Sequence, residues 1–174
     1  MKLTHKITIY SLSIALVFVS TTILHIQMGT SLTNLGDAFI FLFASLFGPL
    51  AGFISGSIGS ALADIALGWG HTAIYTFIIK GVEGLIVGLL FNKLRKKDFK
   101  ISYNIYLFLF SLVGSLIMIG GYYLAEAFMY GSMEAAIVSI YTNILQASLS
   151  IVTFLIVYNL LVKVKTINKI SKEI

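Results

Sequence analysis

The chain has 174 residues, of which 58% are hydrophobic and 11% charged, and its formal charge at neutral pH is +5. Soluble globular domains have about a quarter charged residues, so this composition excludes that class and indicates an integral membrane protein. The absence of cysteine excludes disulfides, thiolate metal sites and a cysteine nucleophile. Apolar runs cover nearly the whole length and no small-residue cleavage site follows the first, so we expect Met1 to begin the mature chain.

Basic residues form three clusters that determine the predicted topology. Lys2 and Lys6 open the chain, Asn92–Lys100 holds five basic residues, and four lysines close the chain. Because such clusters concentrate in cytoplasmic segments, an even number of crossings should separate each cluster from the next. Crossings of about 20 residues leave room for four helices before the middle cluster and two after it. The sequence therefore predicts an all-α, multi-pass cell-membrane protein, a single domain over residues 1–174 with six transmembrane helices and both termini cytoplasmic.

The six predicted helices differ in length. In chain order they are Ile7–Ile26, Asp37–Phe47, Leu50–Leu67, Ala73–Phe91, Ser102–Phe128 and Ala135–Val162. The second is too short to span alone, so it either extends into the polar stretch before it or dips into the membrane and returns. Non-helical backbone at membrane depth requires cover by protein or a watery cavity. No internal repeat relates the two halves, which argues against an inverted-repeat secondary transporter.

Polar residues gather in the outer half of the predicted helices. On helices four, five and six they recur three or four positions apart and so form one stripe per helix. Because an ionised side chain facing lipid is costly, we expect the stripes to converge on a protein-lined cavity that opens outward. The most prominent of these polar residues are Asp37, Asp64, Trp69, His71, Lys80, Glu83, Tyr122, Tyr123, Glu126, Asn143 and Gln146.

Each of these residues also has a purely structural interpretation. Lys80 and Glu83 can neutralise each other, or Lys80 can pair with Asp64. The aromatic residues fit the interfacial belt of membrane proteins, and the amides fit hydrogen bonds between helices. Asp37 fits a first-turn carboxylate stabilised by the helix dipole. The sequence leaves these alternatives open.

Small residues recur at spacings of four in two helices. Gly52, Gly56 and Ser60 form a ladder on the third helix, and such ladders let helix backbones approach closely within a membrane protein. Ser11 and Ala15 have the same spacing on the first helix, whose apolar stretch carries no charged group. A small-residue face without a polar partner is expected to dock on another subunit.

A longer pattern covers the second to fourth helices, about a third of the chain. It comprises LGDA at residues 35–38, GP at 48–49, glycines from Gly52 to Gly68 with AD at 63–64 between them, and KG at 80–81 followed by Gly84. This pattern resembles the S components of energy-coupling factor (ECF) transporters. The length and the six-helix topology of the chain also match that family.

The resemblance implies a subunit of an ECF-type ABC importer that binds a vitamin or vitamin precursor from outside with high affinity. Its implied partners are a transmembrane T component and two cytoplasmic ATPases, and Ser11 and Ala15 correspond to the positions where the family's first helix meets the T component. The chain lacks a Gly-x-x-x-x-Gly-Lys-Ser/Thr sequence, so ATP would be hydrolysed by those partners. We therefore expect no enzyme activity, cofactor or metal in this chain.

The polar and aromatic residues would bind a polar, ring-containing ligand, with Trp69, Tyr75 and Tyr122 stacking on the ring. A mixed-charge pocket with one lysine fits a small, roughly neutral heteroaromatic such as hydroxymethylpyrimidine or pyridoxine better than a polyanion. Pantothenate, riboflavin and thiamine stay open. The candidate substrate-binding residues are Asp37, Asp64, Trp69, His71, Tyr75, Lys80, Glu83, Tyr122, Glu126, Asn143 and Gln146.

Other functions are less well supported. A stand-alone ion-coupled secondary transporter of a small polar solute would use midplane carboxylates as proton relays. A purely structural subunit would leave the outer cavity without a ligand. A membrane enzyme using Asp64, His71 and Glu83 is disfavoured, because the sequence has neither an H-x-x-x-H metal motif nor a Gly-x-Ser-x-Gly elbow. The topology already explains the basic clusters, so we expect no nucleic-acid partner.

Overall fold

A computed structural model describes residues 3–28, 31–95 and 103–163. Five of its helices are long and apolar enough to cross a membrane, and a sixth apolar helix is shorter, which agrees with the predicted class of helical membrane protein. The elements in chain order are α1 (Leu3–Ile23), β1 (His25–Met28), β2 (Ser31–Asn34), α2 (Gly36–Phe47), α3 (Pro49–Ala66), α4 (Ala73–Arg95), α5 (Tyr103–Tyr130) and α6 (Met133–Leu161).

The short hairpin formed by β1 and β2 departs from the sequence prediction, which continues the first helix to Ile26. The helix instead ends at Ile23, and the two strands pair antiparallel with His25 opposite Asn34 and Ile26 opposite Thr33. β-Branched residues such as Ile26 and Thr33 favour extended backbone, and pairing satisfies the backbone groups of the two strands. The hairpin therefore connects α1 to α2.

The short second helix is a central element of the fold. Its 12 residues rise about 18 Å, well short of the hydrocarbon thickness of about 30 Å. Almost all of its side chains are buried, and it packs against α1, α3, α4 and α6. Gly48 follows it with a φ of 88°, and Pro49 then begins α3 in its first turn. The turn at this depth is thus covered by protein, as membrane-embedded irregular backbone requires.

The glycine ladder packs α3 against two neighbours inside the protein. A Cβ on Gly52 would overlap the carbonyl of Gly84, and one on Gly56 would overlap the carbonyl of Lys80, so α3 and α4 touch backbone to backbone. On another side, Gly59 lies against Val17 of α1. Close approach of this kind gives dispersion contacts that lipid cannot supply. The ladder therefore holds α1, α3 and α4 together.

The two ends of the helical bundle differ in chemistry. The end where α2, α4 and α6 begin carries the hairpin and a polar cavity. The other half holds the apolar core, in which Phe41, Phe91 and Phe154 make edge-to-face contacts. Lys6 and Lys93 lie toward that apolar end, whereas Lys2, residues 96–100 and the lysines after Lys163 lie outside the described residues. The functional site is sought in the polar half.

Candidate functional site

A cavity opens at the polar end of the bundle, between the end of α1, the hairpin and helices α3 to α6. The empty space in this cavity and above its open mouth amounts to about 740 Å³. Its wall combines hydroxyl, amide, carboxyl and aromatic groups, a mixture typical of a site for a small polar ligand with a ring. The lining residues are Thr21, Asn34, Asp64, Trp69, Thr72, Tyr75, Thr76, Tyr122, Ala125, Glu126, Met129, Tyr130, Asn143 and Gln146.

Asp64 is fixed in the cavity wall by hydroxyl groups. Its Oδ2 atom accepts hydrogen bonds from Thr72 Oγ1 at 3.0 Å and from Thr76 Oγ1 at 2.6 Å. Tyr122 extends the network, since its hydroxyl donates to Thr76 Oγ1 at 3.1 Å. The four residues come from α3, the following turn, α4 and α5, so this network joins three helices around the cavity. Asp64 is thus held by threonines. The described ion pairs of Lys80 are made with Asp37 and Glu83, and not with Asp64.

Replacement of Thr76 by valine is expected to loosen this network. Thr76 is buried and hydrogen-bonds both Asp64 and Tyr122, so Thr76→Val removes two hydrogen bonds and leaves the Tyr122 hydroxyl without its Thr76 partner. We expect a loss of about 1–3 kcal/mol of unfolding free energy, measured by unfolding in detergent micelles. Thr22→Val is the matched control, because that hydroxyl bonds only to carbonyls of its own helix. Equal stability of the two variants would contradict a structural role for the network.

Behind the cavity wall lies a buried charge cluster formed by Asp37, Lys80 and Glu83. The Lys80 ammonium is paired with Asp37 Oδ1 and lies 3.3 Å from Glu83 Oε2. All three side chains are at most 3% exposed, and none of them lines the cavity. Neither Glu83 oxygen has a hydrogen bond within the described ranges. Lys80 also lies 5.4 Å from the ring centre of Tyr122, which does line the cavity. The cluster therefore supports the wall from behind.

Gln146 connects this cluster to the hairpin. Its Nε2 atom donates to Asp37 Oδ2 at 2.8 Å, while its Oε1 atom accepts from the backbone nitrogen and the side-chain nitrogen of Asn34 at 3.2 and 3.3 Å. Asn34 Oδ1 in turn accepts from the backbone nitrogen of Gly36 at 2.9 Å, at the start of α2. One amide on α6 thus couples the charge cluster, the hairpin and the first turn of α2.

The structure brings seven of the predicted substrate-binding residues to one cavity and leaves four outside it. Asp37, Lys80 and Glu83 form the charge cluster behind the wall, and His71 is exposed with its ring centre 5.8 Å from that of Trp69. The seven that line the cavity are Asp64, Trp69, Tyr75, Tyr122, Glu126, Asn143 and Gln146. Their roles in ligand binding stay predictions.

Several lining residues are absent from the predicted set. Thr72 immediately precedes α4 and Thr76 lies in its first turn, and their spacing of four was a usable signal because it places both side chains on the same side of the helix. Thr21 and Asn34 come from the end of α1 and from β2, and no periodic pattern distinguishes them. Within the described part of the chain, no group of three His, Asp or Glu side chains could hold a metal ion.

The structure is thus a helical membrane protein with a polar, aromatic-lined cavity at one end and a paired charge cluster behind it. The model of the family "ECF-type riboflavin transporter, S component" matches residues 1–163. The chain belongs to this family, which confirms the resemblance found in the sequence and makes it a multi-pass protein of the cell membrane.

The chain is also similar to individual curated proteins. An "Uncharacterized protein in gap 3′region" of Pyrococcus woesei is 39% identical over 114 residues, which are 66% of this chain and 71% of that protein. The thiamine precursor transporter HmpT of Lactococcus lactis is 28% identical over 144 residues, 81% of this chain and 78% of HmpT. A UPF0397 protein of Clostridium perfringens is 40% identical over 85 residues, and the matched part is under half of either chain.

Proposed function

We propose that this protein is the substrate-binding subunit of an ECF-type ABC importer and that it takes up a vitamin or vitamin precursor from outside the cell. The observation that carries the proposal is the cavity, in which ring-bearing and hydrogen-bonding side chains face one space at the end of the bundle opposite to Lys6 and Lys93. That end faces outward if both termini are cytoplasmic, as the basic clusters predict. Membership of the S component family supports this assignment.

The preferred ligand is a small heteroaromatic such as hydroxymethylpyrimidine or pyridoxine. Trp69, Tyr75 and Tyr122 offer ring faces for stacking, and the carboxyl and amide groups beside them offer hydrogen bonds to ring substituents. A relative named as a thiamine precursor transporter supports a pyrimidine ligand. Riboflavin is the second candidate, because the family description names it. Both ligands present an aromatic, nitrogen-rich ring to the same wall.

The partners of this subunit would be a transmembrane T component and two cytoplasmic ATPases, which would hydrolyse ATP on its behalf. A shallow apolar groove between α1 and α3 supports a docking role for the first helix. Both Ser11 and Ala15 are exposed and lie in this groove. Its lining residues are Ser11, Ile14, Ala15, Phe18, Leu62, Ile65 and Ala66. We propose that the T component contacts this groove.

The alternative is a stand-alone ion-coupled secondary transporter of a small polar solute. The charge cluster argues against that alternative, since a proton relay needs carboxylates that exchange protons with water on both sides of the membrane. Asp37 and Glu83 are instead buried and share one lysine. Uptake by the purified protein alone, driven by an ion gradient in vesicles, would support the secondary transporter and contradict the ECF assignment.

The proposal is tested by identifying what the protein binds. The protein is purified in detergent from cells grown in rich medium and denatured, and any released small molecule is identified by mass spectrometry. A stoichiometric vitamin-like compound is the expected result. If the protein is empty, a panel of pyrimidine, pyridine and flavin compounds is titrated while the fluorescence of Trp69, the single tryptophan, is followed. Absence of binding across the panel would contradict the proposed function.

A further inference from the structure

The charged groups on the cavity wall are all acidic. Asp64 and Glu126 line the cavity, and its described lining includes no lysine, arginine or histidine. The nearby cation is Lys80, which lies behind the wall and is already shared by Asp37 and Glu83. Because the wall carries two carboxyl groups and the lysine behind it is already paired with two others, the electrostatic potential inside the cavity favours neutral and cationic solutes over anions.

Two polar atoms on the same wall have no hydrogen-bond partner among the described residues. The Thr21 hydroxyl and the Asn143 side-chain nitrogen have no hydrogen bond within the described residues, although both side chains are only 5% exposed. Both residues line the cavity. Native proteins pair the large majority of buried polar atoms with protein, water or a ligand. These two atoms therefore mark positions at which a bound molecule would complete the hydrogen bonding.

We infer from this wall that the cavity selects an uncharged or cationic nitrogen heterocycle and rejects its carboxylated and phosphorylated derivatives. Ionised carboxylates only accept hydrogen bonds, so Asp64 and Glu126 meet amino, hydroxyl or ring N–H groups of the ligand. The Asn143 amide and the Thr21 hydroxyl donate to its ring nitrogens or carbonyls. The inference rests on the proposed function and adds the substrate class and the role of Thr21 and Glu126.

A phosphate or carboxylate on the ligand would meet two carboxyl groups and no cationic side chain in the described lining. Like charges repel strongly where protein displaces water, and an anion would also lose hydration that this wall cannot replace. We therefore expect pyrimidines, pyridines and flavins without acidic substituents to bind in the cavity. The same rings with an acidic substituent should be rejected.

The test compares matched pairs that share a ring and differ by one acidic substituent. The pairs are hydroxymethylpyrimidine and its phosphate, pyridoxine and pyridoxic acid, and riboflavin and its 5′-phosphate, each titrated by calorimetry into the purified full-length protein. We expect the uncharged member of the recognised pair to bind at least about tenfold more tightly than the acidic member. The pair that binds identifies the ring system of the ligand. The ratio of the two affinities within that pair tests the inference.

Two variants assign the selectivity to residues. The affinity of the uncharged ligand divided by that of its acidic counterpart is expected to fall about fivefold in Glu126→Gln, because this substitution removes one negative charge from the cavity wall. Glu134→Gln is the matched control, since Glu134 is exposed at the start of α6 and does not line the cavity. Thr21→Val should weaken binding of the uncharged ligand by about fivefold without lowering the unfolding midpoint of the ligand-free protein.

The outcomes separate this inference from the proposed function. Equal affinity for both members of a pair would overturn the charge selectivity and leave the proposed function intact. An unchanged ratio in Glu126→Gln would also overturn it, as would equal changes in Glu126→Gln and Glu134→Gln. Failure of every pair to bind would overturn the proposed function and the inference with it.

Discussion

Replacement of Lys80 by alanine is expected to lower the free energy of unfolding by about 3–5 kcal/mol. The substitution removes the partner of Asp37 and Glu83 while both carboxylates stay buried, at 1% and 0% exposure. An uncompensated charge in such surroundings is much costlier than the intact pair, because water no longer solvates it. The measurement is equilibrium unfolding in mixed micelles of a mild detergent and dodecyl sulfate.

Two further variants distinguish the loss of charge balance from the loss of a side chain. Lys93→Ala changes an exposed lysine on the same helix and should leave stability nearly unchanged. The triple variant Asp37→Asn, Lys80→Met, Glu83→Gln removes all three charges with similar volume and should recover most of the lost stability. If Lys80→Ala unfolds like the parent protein but no longer binds ligand, the cluster is part of the binding site and its structural role is wrong.

The sequence was informative about the cluster only in part. Periodicity places Lys80 and Glu83 on one face of α4, and the rule that intramembrane charges pair makes them natural partners. It does not identify Asp37, which is 43 residues away from Lys80 and reaches it only because α2 packs against α4. The alternative pairing of Lys80 with Asp64 was equally consistent with the sequence. Tertiary packing, which no local pattern encodes, decides between them.

Helix positions were more predictable than connections. Hydropathy and the basic clusters predict helices whose limits agree closely with the structure, including Phe47 at the end of α2 and Ala73 at the start of α4. The hairpin was not predicted because its strands are only four residues long, too short to show a clear alternation of polar and apolar residues. Since Asn34 of β2 lines the cavity, the missed hairpin also meant a missed site residue.

The polar stripes predict a cavity but do not show which of their residues line it. A stripe gives the face of a helix that avoids lipid, and both a cavity wall and a buried pair satisfy that requirement. Asn143 and Gln146 belong to one stripe, yet Gln146 is held by Asp37 and Asn34 whereas the Asn143 side-chain nitrogen has no partner within the described residues. Such differences depend on the neighbouring helices. They determine which residues are free to meet a ligand and which hold the wall in place.

The double substitution Ser11→Leu with Ala15→Leu is expected to reduce substrate uptake to background while leaving ligand affinity unchanged. Both positions are exposed in the apolar groove between α1 and α3, on the face of α1 opposite to the buried residues Ser13 and Val17. Two leucines would fill the groove and prevent the close backbone approach that small residues permit between membrane helices. The measurements are uptake by vesicles that contain the whole transporter complex and calorimetric binding by the isolated protein.

The control for this substitution has the same spacing on the same helix. Thr4→Leu with Thr8→Leu adds two leucines at exposed positions outside the groove, so it changes hydrophobicity without blocking the groove. Normal uptake by this control and loss of uptake by the groove variant would place the docking surface on α1 and α3. Uptake retained by the groove variant would show that the T component meets another face. Loss of ligand affinity would mean instead that the groove variant distorts α1 as far as Thr21, because that residue belongs to both the helix and the cavity wall.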